Sequence, residues 1–171
     1  YRFGPEKKAC VMRQAVMGQG SEWRIEMTKK EFAERTEKKI LILDGATGSN
    51  LTKAGMPKGV CTEEWALAHP EAVIALQRAY VEAGSDIVYA PTFGANRASL
   101  KRFGLEDRLS ELNHKLVQIS REAADGQALV AGDITTIGYP VTDEGELSYE
   151  NRVALYQEQI SELVDAGVDL L

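Results

Sequence analysis

Four short apolar runs recur along the chain at nearly equal spacing, and this recurrence limits the fold more than any other feature. They are "ILIL" (40–43), "SDIVYA" (85–90), "ALVAGDI" (128–134) and the terminal "VDLL" (168–171). Their equivalent positions Leu43, Val88, Val130 and Leu170 stand 40 to 45 residues apart. Each run is too short for a helix, and the first three lead into small or turn-forming residues. "ILIL" in particular reads as a strand buried on both faces. Helical repeats fill the intervals. Pro70 suits a first helical position, Glu71 complements the N-terminal dipole and Gly84 suits the C-terminal end, with Val73, Ile74, Tyr80 and Val81 on the apolar face. Leu109, Leu112, Leu116 and Ile119 form a second stripe, with Gly126 beyond it. Ser148 is a fair N-cap for a third helix that carries Val153, Tyr156, Ile160, Leu163 and Val164 and is closed by Gly167.

The order β-α-β-α-β-α-β predicts an α/β protein with a parallel sheet and right-handed crossovers. Two architectures satisfy it: an open doubly wound sheet, or the N-terminal half of a (β/α)8 TIM barrel with about four parallel strands. A full barrel needs about 250 residues, and this chain has 171. Its end inside a strand favours the half barrel. Residues 39–171 are expected to form that half. Residues 1–38 are expected to be an extension with a lead-in helix. No period of either kind appears before Met27, which is compatible with a linker or tail of a larger protein. It is also compatible with a native start at Met27, because Trp23-Arg24 can be the translation of a ribosome-binding sequence.

Hydrophobic residues make up 44% and charged residues 27%, ordinary for a globular chain with a core. The net charge of -6 argues against a nucleic-acid partner. No apolar run approaches the roughly 20 residues needed to cross a bilayer, and the N-terminus lacks the basic-then-apolar pattern of a signal peptide. Cys10 and Cys61 are the only cysteines. They make no disulfide framework, and a cytoplasmic setting is expected.

In either architecture ligands meet the C-terminal strand ends. The residues there are Asp44, Gly45, Ala46 and Thr47 after the first run, Pro91, Thr92, Phe93, Gly94 and Asn96 after the second, and Asp133, Thr135 and Thr136 in the third. A carboxylate at such a mouth suits a cationic group, such as the amino group of an amino acid. It serves equally as a cap of the following turn, and Asp133 has the same two readings. "GATGSN" lacks the phosphate-loop lysine, and no G-x-G-x-x-G follows the first strand. His69 reads as a capping or packing residue, His114 as solvated and Cys61 as structural. Phe93 and Trp65 read as packing residues, and "TDEGELSYE" as an exposed loop entering a helix.

Taken together, "LDGATGSNL", "HPEAVIALQRAYVEAGSDIVYAPTFGANR", "FGLEDRLSELN", "ALVAGDI" and "ELVDAGVDLL" resemble the homocysteine S-methyltransferase family over about residues 39–171. "TFGAN" and "GLED" resemble its cobalamin-dependent methionine synthase branch, although Pro91 and the threonines of "GDITTIG" depart from that pattern. The resemblance implies a (β/α)8 barrel that transfers a methyl group to the sulfur of homocysteine, held as thiolate by zinc. It implies that Asp44, with the backbone of Gly45 and Ala46, holds the amino-acid end of homocysteine, and that Thr92 and Phe93 line the same mouth. Asp133 is the second candidate substrate-binding acid.

No residue stands out as catalytic. The family's zinc cysteines lie in the second half of its barrel, and neither Cys10 nor Cys61 matches them, so no metal ligand is expected here. The implied methyl donor is a methylated cobalamin or folate, with a corrinoid or folate domain as partner, or a betaine in another branch. This chain alone is expected to be inactive and to self-associate through unpaired sheet edges. The alternative is a non-catalytic amino-acid-binding or corrinoid-pathway protein on the same fold.

Overall fold

The structure is a computed structural model that describes residues 27–137 and 148–171. Its elements run α1 (Lys29–Lys38), α2 (Gly48–Lys53), α3 (Thr62–Ala68), α4 (Pro70–Glu82), β1 (Ile87–Ala90), α5 (Arg97–Lys101), a 3-10 turn (Glu106–Arg108), α6 (Leu109–Ala124), β2 (Leu129–Gly132) and α7 (Tyr149–Asp165). β1 and β2 pair in parallel, with Val88 opposite Val130 and Ala90 opposite Gly132. The two outer apolar runs join the same sheet through single parallel bridges, Leu43 to Ile87 and Ala131 to Leu170. Four extended segments therefore lie side by side in chain order.

The expectation that residues 40–43 are buried on both faces is not met. Ile40 is 89% and Ile42 56% exposed. This segment is the sheet edge, and among the described residues nothing packs over its outer side.

The three long helices form where their stripes and caps place them. Pro70 opens α4 at a position that needs no amide donor, and Gly84 follows its end at φ +103. The Ser148 side chain accepts from the Asn151 amide and caps α7. α6 faces two cores at once. Its Leu109, Leu112, Leu116 and Ile119 pack with Leu51, Ala66, Val73 and Leu100. Its Val117 and Ala124 pack with Val88, Ala90 and Val130 of the sheet and Leu163 of α7. Because Val88 and Ala90 turn toward the helices, alternation turns Tyr89 the other way.

The starts of two strand segments share a device. Asp86 accepts from the Ile42 amide at 3.0 Å and pairs with Lys39. Asp169 accepts from the Val130 amide at 2.8 Å and pairs with both terminal nitrogens of Arg121. In each case an acid after a helix-ending Ala-Gly step stitches its strand to the preceding one. These acids sit at the opposite strand end from Asp44 and Asp133.

The short helices α2 and α5 lie in stretches that read as loops, since five or six residues carry no detectable period. The readings of residues before Met27 and of the acid-rich stretch up to residue 147 fall outside the described residues.

Candidate functional site

Beyond the C-terminal ends of the first three extended segments lies a pocket of about 280 Å³, lined by Thr47, Gly48, Thr62, Glu63, Tyr89, Ala90, Pro91, Phe93 and Asp133. Three carboxylates gather around it. Asp44 is half-buried and accepts from the Tyr89 amide at 3.1 Å. Burial pushes its pKa up to about 6; the Tyr89 amide opposes the rise and the negative charge of Asp133 adds to it. Asp133 is also raised, by burial first and by Glu63 beyond that. Glu63, only 6% exposed, accepts from the Gly94 amide at 2.7 Å through one oxygen and from the Cys61 thiol at 3.3 Å through the other.

The predicted site residues take distinct places in this arrangement. Phe93 and Asp133 line the pocket, and Phe93 is 55% exposed rather than packed away. Asp44 reaches the pocket wall through Tyr89 and feels the charge of Asp133. Thr92 is fully buried. Its hydroxyl lies 3.0 Å from both the carbonyl and the amide of Asp133, so it ties the second strand end to the third. Gly45 and Ala46 do not line the pocket, whereas the next residues, Thr47 and Gly48, do. The Ala46 carbonyl accepts from Tyr80 Oη at 3.0 Å and from Asn50 Nδ2 at 2.7 Å, which clamps the turn. A Cβ on Gly45 would come within 2.8 Å of that same Tyr80 oxygen, so a larger residue here would push Tyr80 out of the clamp.

Sequence reading missed three lining residues, Thr62, Tyr89 and Glu63, and of these only Glu63 is an acid. In "VCTEEW" it is one of two adjacent acids at the start of a short helix, and its neighbour Glu64 is exposed. Nothing in the order of residues separates the two; only the fold turns one inward. His69 stacks on Trp65 at a centroid distance of 4.2 Å, with Nδ1 2.9 Å from the Trp65 carbonyl, a packing role at the α3–α4 corner. His114 is less free than its polar neighbours suggested, since its Nε2 lies 3.1 Å from Glu162 of α7.

The donor set does not fit zinc. Among the described residues no three His, Cys, Asp or Glu side chains converge as a metal site requires. Burial pushes the Cys61 thiol up to about 11, with the adjacent Glu63 carboxylate adding to the rise, so at neutral pH it is a protonated donor and not a thiolate. What remains is an anionic, partly dry rim suited to a small cationic group.

Residues 41–171 match the homocysteine S-methyltransferase family, and the chain belongs to that family. Its members are S-methyltransferases, a class of enzyme consistent with the α/β architecture and the strand-end site. The chain is 33% identical over 150 residues to betaine–homocysteine S-methyltransferase 1 of Bos taurus, covering 84% of this chain and 36% of that one. The Mus musculus protein of the same name is 31% identical over the same lengths. Among solved structures, the oxidized form of the homocysteine methyltransferase MmuM from Escherichia coli superposes with a TM-score of 0.65 at 25% identity, over 79% of this chain and 53% of that one. Its metallated form gives 0.68 at 24% identity, a likeness of fold, over 80% and 55%. The chain thus spans about a third to a half of the length of the relatives named here. No described helix is long and apolar enough to cross a membrane.

Proposed function

We propose that this chain is the amino-acid-gripping part of a homocysteine S-methyltransferase, built as the N-terminal half of a (β/α)8 barrel and working in the cytoplasm. The observation that carries the reading is the meeting of Asp44 and Asp133. They come from the ends of separate strand segments, yet lie close enough that the charge of one raises the pKa of the other. An ammonium group placed between them would relieve both their desolvation and their repulsion. Asp44 would take the ammonium of homocysteine, and the Gly45–Ala46 backbone its carboxylate. Phe93 would cover the aliphatic stem, and Thr92 would hold Asp133 in place from behind. Activation of the sulfur belongs, by resemblance, to zinc held by the second half of such a barrel.

The "TFGAN" and "GLED" motifs favour a methylated corrinoid or folate as donor, with a corrinoid or folate domain as partner. A second reading, betaine as donor, is favoured by the relatives whose names carry betaine at 31–33% identity. Calorimetric titration of homocysteine into the full-length protein tests the site, and no heat of binding would end the proposal. Methyl transfer assayed with methylcobalamin, methyltetrahydrofolate and betaine in parallel separates the donors. Tight binding with no transfer from any of them would mark a non-catalytic amino-acid-binding protein. The 171-residue chain by itself should form no methionine even with zinc supplied.

A further inference from the structure

Three buried amide side chains, from three different helices, grip the end of β1 and the loop that follows it. Gln77 of α4 donates to the Tyr89 carbonyl at 2.8 Å. Gln159 of α7 donates to the Thr92 carbonyl at 2.8 Å. Asn113 of α6 donates to the Ala95 carbonyl at 2.8 Å. The gripped carbonyls recur every third residue, so the stretch 89–95 is held at both ends and in the middle. All three amides are at most 1% exposed, and each leaves its own side-chain oxygen without a partner among the described residues.

An unpaired buried amide oxygen is unfavourable, and an apolar side chain of similar volume would fill the same space without it. Thr92 would keep a partner if Gln159 were replaced, because its carbonyl also accepts from the Ala95 amide at 2.9 Å. Packing and backbone pairing alone therefore do not call for an amide at Gln159. What they fix is the course of residues 89–95. That stretch carries the Tyr89 amide that binds Asp44, the Thr92 hydroxyl that binds Asp133, Phe93 over the pocket, and the Gly94 amide that binds Glu63. The carboxylates of Asp44 and Glu63 and the backbone of Asp133 are thus anchored to this one stretch.

We propose that Gln77, Asn113 and Gln159 are positioning residues that hold the loop after β1 in the shape that binds substrate, at some expense to stability. The inference rests on the amino-acid-binding reading of the pocket. The test replaces Gln159 by Met in the full-length protein, with Gln77→Met as a second variant on another helix should the first not fold. Three quantities are read: the urea midpoint, amide hydrogen exchange over residues 92–96, and homocysteine affinity by calorimetry. The expected result is an unchanged or raised midpoint, faster exchange confined to the loop, and an affinity about tenfold weaker, the loss of one well-placed contact. Unchanged loop exchange, or unchanged affinity, overturns the inference. So does an affinity loss that merely tracks a lowered midpoint. If the wild-type protein binds no homocysteine, the functional reading falls, and loop exchange at constant midpoint then decides the inference alone.

Discussion

Replacing Asp44 by Asn should make the protein more stable above pH 7 and leave it little changed near pH 4. The ordinary value for an aspartate is 3.8, and in the folded chain Asp44 rises to about 6, chiefly through burial. A raised carboxyl pKa means that the native state binds the proton more tightly than the unfolded state does. Near pH 3 both states are protonated and nothing is lost. As the pH climbs from about 4 through 6, the native state must ionise a half-buried group against its surroundings, and stability falls. A rise of this size corresponds to about 3 kcal/mol at most. Water on the open side of the carboxylate reduces it to about half of that.

Asparagine keeps an oxygen to accept the Tyr89 amide and carries no charge to desolvate. Urea unfolding of both proteins at pH 4.5, 6 and 8 isolates the effect, because carboxylates that do not feel Asp44 cancel in the difference, leaving Asp44 and its repulsion with Asp133. The variant should gain about 1 kcal/mol over wild type between the lowest and highest pH, since part of the loss is already present at pH 4.5. A difference that stays flat across that range, or one that favours wild type at pH 8, refutes the claim that Asp44 is held at a cost in the folded state.

Three further outcomes follow from the same contacts. Gly94→Ala places a Cβ 2.8 Å from Glu63 Oε1, which should break the Gly94–Glu63 bond and weaken homocysteine binding about tenfold in calorimetry, the effect of losing one charge-assisted contact. Arg121→Met leaves the 2%-exposed Asp169 carboxylate without its cation, and urea unfolding should show a loss of about 3 kcal/mol. Adding Asp169→Asn to that variant should cost less than the sum of the two single changes. Leu163→Ala empties a fully buried position between α7 and the sheet, and the denaturation midpoint should report a loss of about 2 to 5 kcal/mol.

Much of this arrangement was legible in the residues because it rests on local rules. Pro70, Gly84, Ser148 and Gly167 punctuate helices whose apolar stripes are long enough to count, and the structure places α4, α6 and α7 where those signals do. Val88 and Val130 read as neighbouring strands and pair directly. The failures have a common cause, which is dependence on contacts distant in sequence. "ILIL" has the composition of a doubly covered strand, but coverage depends on what packs beside it, and here it lies at an edge. Glu63 and Glu64 are identical as letters and opposite in burial. Gln77, Asn113 and Gln159 look like polar interruptions of helices, yet each ends on a carbonyl that lies between 12 and 67 residues away in sequence.

The raised acid at the rim also sets how ligand binding should respond to pH, with methionine as the better probe because its thioether does not titrate. An ammonium beside Asp44 favours the ionised carboxylate, so binding must drive a proton off whenever the pH lies below about 6. Affinity should be nearly constant from pH 7 to 8 and fall below pH 6 by up to tenfold per pH unit, the limit for one proton released. Calorimetry at pH 5.5 in two buffers of different ionisation enthalpy should therefore give different apparent heats, and at pH 8 the same heat. In the Asp44→Asn protein both the pH dependence and the buffer dependence should disappear along with most of the affinity. An affinity constant from pH 5 to 8 would mean that the cation sits elsewhere, and Asp44 would then be left as the cap of its own turn.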